Sequence, residues 1–416
     1  MTNFVEKQIK QIKRYGVKNR IKIALNYLFP ELLIVLISQM YLILIIVRLI
    51  RPLKLIRFGN LYSERIGHFA ANNELYMCER DHGMQPRNSL DIFGYLKPVC
   101  NNQLLKMWKR VLPVKISRIA YYLWWMNNII PGGDEHIIRT ASGDRDIHGL
   151  YEKSRVHLYF TREEEAEAQA GLRKMGIKDG TPFVCLVVRD PAYIEKHYSG
   201  RDFSYHSYRN CDIQDYRDVA EMLVDRGFTV IRMGSVVKEA MQTHNPRIIE
   251  YACSGFRTEL LDIYLLAKCF FYIDGGSGIQ AIPLIFRRPI VYTGYVPVEF
   301  MASWNSKSMI IFKKHWLKNE RRLMTFREII ESGAGRYLYA QQYEEHGIQL
   351  IENTPEEITA VTMEMYERLQ ETWQTTEEDK ELQRRFWSLI KSSKINRVVR
   401  SRVGTEFLRQ HRELLE

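Results

Sequence analysis

"FFYIDGGSGIQAIPLIFRRPIVYTG", residues 270–294, reads as strand, loop, helix and strand in succession. Phe270–Ile273 and Pro289–Thr293 are short apolar runs of strand type. Between them Asp274 and four small residues, Gly275, Gly276, Ser277 and Gly278, run into an apolar helical stretch. One glycine would serve a tight strand-to-helix turn. Three glycines with a hydroxyl among them also let a ligand reach the backbone where a helix begins. The orphan N–H groups and the positive dipole end there favour a phosphate. A turn and a phosphate cradle are therefore the two readings, and the loop's place in the fold favours the cradle.

Working outward, the flanking sequence alternates strand and helix. "FVCLVVRD" (183–190) is a buried-type strand ending in Arg189 and Asp190, and "DIQDYRDVAEMLVDRG" (212–227) is a helix. Strand "FTVIRMG", short strand "RIIEYACSG" and helix "ELLDIYLLAKC" lead back to the glycine loop. Such alternation predicts a parallel sheet with ligands at the carboxyl ends of its strands. The 21-residue connection after Asp190 is too long for a mere turn. Its stretch "GRDFSYHSYRN" carries Arg201, Tyr205, Tyr208, Arg209 and Asn210, donors and rings suited to a nucleotide diphosphate.

Upstream, "LKLIRFG" (53–59) and "RNSLDIFGYL" (87–96) read as strands, "NNQLLKMWKRVL" (101–112) as a helix and "HIIRT" (136–140) as a further strand. Thr161 and Glu164 form a capping box that opens a helix ending near Gly176. The aromatic tract 113–131 reads as a core helix, with a lipid-facing surface as the alternative. The "DRD" at 144–146 reads as solvated loop.

The chain has 416 residues, more than one ordinary hydrophobic core. Its formal charge of +11 is uneven: +9 in residues 1–60, +6 from 383 onward, and −4 in between. A mildly acidic body argues against nucleic-acid binding through the folded part. The six cysteines show no CxxC or Cys/His spacing, which excludes a structural zinc pattern, and Cys185 and Cys269 lie in strand-like runs as buried free thiols.

Residues 1–29 space apolar positions among seven Lys/Arg between 7 and 22, a basic amphipathic segment suited to an anionic membrane surface. Residues 32–50 are apolar apart from Ser38, Gln39 and Arg48, between Pro30 and Pro52. Nineteen residues at about 1.5 Å each span roughly 28 Å, barely a bilayer core. Basic residues flank both sides, which suits a monotopic helix on the cytoplasmic face of a membrane.

The stretches "IRFGNLYSERIGHFAANNELYMCERD", "RDPAYIEKHY", "YRNCDIQDY" and "IDGGSGIQAIP" resemble a bacterial family of GT-B-type glycosyltransferases of surface-polysaccharide biosynthesis. The similarity spans about residues 50–350. The step from Val188 to Asp190 also resembles the nucleotide-binding strand of fucosyltransferase-like enzymes, without their fuller basic pattern. The resemblance implies an α/β, GT-B-like fold: an acceptor domain at 52–178, a nucleotide-sugar domain at 179–352 and a helical basic tail at 353–416. It implies a nucleotide-diphosphate sugar as co-substrate, a lipid-linked or surface-glycan acceptor and no metal, since helix N-termini and arginines neutralise the leaving diphosphate. Arg189, Asp190, Arg201, Tyr208, Arg209, Asn210 and Asp274 to Gly278 would hold the donor. In an inverting enzyme His68, with Glu64 next in line, would be the base. A nucleotide-sugar 2-epimerase of the same fold and a non-catalytic membrane-tethered binding protein are the alternatives.

Overall fold

The computed structural model describes residues 35–112, 115–140, 143–192, 195, 204–390 and 397–416. Arg201 and the amphipathic segment 1–29 lie outside the described residues. The chain divides into two compact units, residues 1–60, 86–95 and 114–138 in one and the remainder in the other.

The smaller unit is a three-stranded parallel sheet, β1 (Leu55–Asn60), β2 (Ser89–Gly94) and β3 (Lys115–Ile116), in that order. Side chains alternate across it. Phe58 pairs with Ile92 and Arg57 with Asp91, so apolar and charged pairs fall on opposite faces. On one face Arg57 and Asp91 form a buried two-pronged ion pair at 2.9 and 2.8 Å. On the other, Ile56, Phe58 and Ile92 pack against two helices, α1 (35–50) and α4 (Arg118–Asn127). The "HIIRT" stretch contributes only an isolated bridge, Phe58 to Ile137.

Between those helices in sequence lie α2 (Ile66–Asp81) and α3 (Asn102–Val111), which belong to the larger unit. That unit is built on a seven-stranded sheet that is parallel throughout. Its strands are β4 (Phe183–Val188), β5 (Thr229–Arg232), β6 (Ile248–Glu250), β7 (Tyr272–Gly275), β8 (Ile290–Tyr295), β9 (Ser308–Phe312) and β13 (Arg402–Val403). All six residues of β4 are buried, as expected of a strand covered on both faces. A small antiparallel sheet is made of β10 (Lys314–Leu317), β11 (Arg322–Leu323) and β12 (Ile348–Ile351). Helix α5 (Arg162–Lys174) opens on the expected Thr161–Glu164 capping box. The C-terminal segment is more than a helical tail: β13 pairs with β9 and completes the sheet's edge.

The order of the large sheet is β13-β9-β8-β7-β4-β5-β6. From β4 the chain builds outward through β5 and β6, then returns to lay β7, β8 and β9 on the other side of β4. The direction of winding therefore reverses between β4 and β7. Diverging connections leave a crevice at the carboxyl ends of such a pair. Among the described residues no helix is long and apolar enough to cross a membrane.

Candidate active site

Arg189 follows the last residue of β4, and the glycine loop follows β7, so both sit at the reversal point. The Arg189 N–H donates to the Gly275 carbonyl at 3.1 Å, and the Cys211 N–H donates to the Arg189 carbonyl at 3.0 Å. Strand end, glycine loop and the segment before Cys211 are thus tied together. That segment is a 3-10 helix, Ser204–Arg209. Tyr208 is buried with its ring 5.6 Å from that of Tyr343, and the Asn210 side-chain oxygen accepts from Arg189 Nε at 3.3 Å.

The centre is electropositive. Burial, and then the charge of Arg209, lower the Arg189 guanidinium to about 10. His206 is pushed down to about 4 by burial and by Arg209, Arg189 and Arg65. No carboxylate forms an ion pair with Arg189 or Arg209 among the described residues, and Arg209 Nε is buried without a hydrogen-bond partner there. Two neighbouring guanidiniums with no ion-pair partner among the described residues suit an anion. His206 and Arg65 belong to this field although sequence reasoning passed over them; the motif "SYHSYRN" held the signal for His206.

The glycine loop is organised around Asp274. This buried carboxylate accepts from Tyr272 Oη at 2.9 Å, Ser277 Oγ at 2.6 Å and the N–H groups of Gly276 and Ser277 at 3.2 Å each. Burial raises it to about 6 in spite of these bonds. Two of the N–H groups expected to face a phosphate are therefore turned inward. The N–H of Gly278 takes no hydrogen bond among the described residues. The following helix, α6 (Ala281–Ile285), is only five residues long, so its dipole adds little and the arginines supply most of the positive charge.

The three glycines serve different ends. A Cβ on Gly275 would lie 2.9 Å from Tyr216 Oη, so that glycine is a packing requirement. Gly276 has φ +86° and would press a Cβ to 2.9 Å from the Arg209 carbonyl, so it is a turn requirement. Gly278 has nothing within 4 Å of its Cβ position. Both sequence readings of the loop apply, each to its own residues.

His68 enters from α2. Its neighbour Gly67 starts that helix hard against the loop: a Cβ there would stand 2.8 Å from the Gly278 carbonyl oxygen. The half-exposed His68 ring turns Nδ1 towards Asn72 Oδ1 at 3.3 Å and Asp144 Oδ2 at 3.4 Å. With Nδ1–H committed to these acceptors, Nε2 carries the lone pair that a base needs. Glu64 is exposed, and its charge is felt at Cys100. Asp190 has both oxygens taken, by the N–H groups of Ala192 at 2.9 Å and Lys238 at 3.0 Å, so it shapes the loop.

The "DRD" stretch is not the solvated loop its composition suggests. Asp146 is buried and accepts the N–H groups of Leu150 and Tyr151, while Arg145 donates to the carbonyls of Phe300 and Met301 and lies over the Trp304 ring. These neighbours come from distant sequence, which composition does not reveal. Asp144 alone is exposed, and it is the partner of His68.

Among the described residues Glu74, Cys78 and His157 have the composition and spacing of a metal site. Cations of the chain already occupy that space. Arg287 donates to Glu74 at 2.7 Å, and His157 lies 3.0 Å from Glu74 and 2.9 Å from Asp81. Burial opposes a charge on His157, but Cys78, Glu74 and Asp81 overcome it and hold the imidazolium up to about 10.

No protein-family model matches the chain, and no curated protein matches it. In structure it is similar to Escherichia coli ADP-heptose lps heptosyltransferase II, with TM-score 0.34 and 14% identity over 62% of this chain and 90% of that one. It is also similar to a glycosyl transferase family 9 protein from Veillonella parvula, with TM-score 0.44 and 11% identity over 76% of this chain and 97% of that one.

Proposed function

We propose that the protein is a metal-independent, membrane-associated glycosyltransferase of the GT-B type. It moves a sugar from a nucleotide-diphosphate donor to a lipid-linked or surface-glycan acceptor at the cytoplasmic face of a bacterial inner membrane. One observation carries the reading: two arginines without an ion-pair partner among the described residues and the open backbone of Gly278 lie at the sheet's reversal point, with a His–Asp pair one residue from the loop.

In the proposed reaction the donor diphosphate lies along Arg189 and Arg209 with Gly278 beneath it. His68 Nε2 takes the proton from the acceptor hydroxyl as that oxygen bonds to the anomeric carbon. The bond from that carbon to the diphosphate oxygen breaks, and the electron pair leaves with the nucleoside diphosphate. The guanidiniums stabilise the charge that develops there, which is the role a divalent cation plays in other transferases. Tyr208 and Asn210 shape and orient the same wall, and the N-terminal segment holds the protein on the membrane.

The test is incubation of the full chain with a panel of nucleotide sugars and bacterial lipid extract, reading free UDP or GDP with and without EDTA. Acceptor-dependent release that survives EDTA is expected. Interconversion of the donor sugar without transfer would make the protein an epimerase, and binding without turnover would make it a tethered binding protein.

A further inference from the structure

We propose that the outer face of α4, side by side with that of α1, is a docking surface for an anionic lipid bilayer, both helices lying in the membrane interface. This rests on the membrane-associated reading above and extends it to a second helix, some seventy residues beyond the first in sequence.

Helix α1 is apolar nearly all round, yet it buries only a stripe at Met40, Leu44 and Val47. A helix in water keeps one apolar stripe and a polar back. Here the back holds Leu42, Ile45, Ile46 and Leu49, the last 74% exposed. Helix α4 repeats the pattern. Ala120, Leu123 and Met126 face the core, while Ile119, Tyr122 and Trp125 form an adjoining stripe turned to the outside at 52–60% exposure. Ile129 continues that stripe beyond the helix end.

The two exposed faces belong to one surface. Both buried stripes meet a single core cluster on the Ile56–Phe58–Ile92 side of the small sheet. The helices thus form one layer over one face of the sheet, and the sides they turn from it point the same way. Arg48 donates to the Pro131 carbonyl, and Arg51 pairs with Glu135, fastening the end of α1 to the turn that follows α4.

Charge and side-chain type choose lipid over another protein. Neither 35–50 nor 118–130 contains an Asp or Glu. Arg48, Arg51, Lys54 and Arg118 stand at the helix ends, and seven more Lys/Arg lie between 7 and 22, in the chain that leads into α1. An apolar face without acidic side chains of its own, and with cations in excess over Asp134 and Glu135 at its rim, complements an acyl layer under phosphate headgroups. Tyr41, Tyr122 and Trp125, exposed on these faces, are the side chains that settle at that boundary. Contiguous exposed apolar residues rimmed by polar ones mark a site of interaction or membrane contact.

The experiment uses the purified full chain and vesicles of phosphatidylcholine with phosphatidylglycerol. Wild type should co-sediment with them. The double variant Tyr122→Glu/Trp125→Glu, at two exposed positions and with an unchanged circular dichroism spectrum, should partition at least about tenfold more weakly. Brominated acyl chains should quench the wild-type tryptophan emission, and Trp125→Phe should lose much of that quenching. If wild type binds while both variants behave as it does, the α4 face is not in the bilayer and this inference falls, with the membrane reading intact. Failure of wild type to bind would overturn both. A wild-type dimer that the double variant dissociates would mean that a second copy covers the face, and the inference would fall.

Discussion

Four residues at the site can be separated by what a substitution would do to each. Gly278→Val meets open space, so melting should be unchanged while UDP and GDP affinity is lost, because a branched Cβ keeps the diphosphate off the backbone. Unchanged affinity by calorimetry would remove the phosphate from this loop. Gly276→Val is a poorer probe: at φ +86° and 2.9 Å from a carbonyl, it should destabilise by about 1–3 kcal/mol whatever binds. His68→Ala should lower kcat by about 10²–10⁴-fold, the usual weight of a general base. Asp144 touches no reacting atom in the proposed mechanism; it positions His68. Asp144→Asn should therefore reduce kcat by about tenfold or more and leave the donor KM unchanged, since it acts only through the ring. Equal loss in donor binding would place Asp144 in the donor site instead.

The elements that carry the donor site are the ends of β4 and β7 and the 3-10 helix between Ser204 and Arg209. Arg189→Ala and Arg209→Ala should each weaken nucleotide diphosphate binding by about 1.5–3 kcal/mol for the charge-assisted hydrogen bond removed. Wild-type affinity in both variants would mean that the anion lies elsewhere. The loop itself should respond to pH through Asp274. Its carboxyl is raised to about 6 in the fold against an ordinary 3.8, so the folded state takes up a proton before the unfolded chain does. Stability should rise as pH falls from 6 towards 4, the reverse of an ion-paired carboxylate. Donor affinity should decline over the same window, because a protonated Asp274 holds the Gly276 and Ser277 N–H groups less firmly. Much of this was legible in sequence: the glycine loop, the strand that leads into Arg189 and the parallel sheet all follow from local pattern. The expected strand Phe270–Ile273 lies two residues further on, at Tyr272–Gly275, since pairing with β4 and β8 decides its ends. Asp274 as the hub of its own loop, Asp144 beside His68, and β13 at the sheet edge depend on contacts across long sequence separations, which period and composition do not encode.

At the scale of the molecule, the question is why residues 61–85, which follow a strand of the smaller unit, pack with the larger one. Their apolar side chains supply part of the answer, and a buried ionic network supplies the rest. Glu74 and Asp81 on α2 meet His157 from a later segment, and Glu74 also meets Arg287 from the turn after α6, all within one compact unit. Arg287 sits at φ +59°, an uncommon conformation for a non-glycine residue, and also donates to the Tyr151 carbonyl. The network balances two carboxylates against two cations, so it needs His157 protonated. Its imidazolium is raised from 6.5 to about 10, and a group raised in this way gives its full stabilisation below the unfolded value. That stabilisation is lost as pH climbs from 6.5 to about 10, where the unfolded chain has released the proton and the folded one still holds it. Wild type should therefore lose melting temperature steadily across that window. His157→Gln keeps a polar group of similar reach without the charge. It should melt lower at pH 6.5, because buried Glu74 is then left with Arg287 and the part-exposed Asp81 loses its imidazolium partner, and should show a flatter slope towards pH 10. Parallel slopes in the two proteins, measured by calorimetry at fixed ionic strength, would mean that His157 is neutral and that Arg287 alone holds α2 in place.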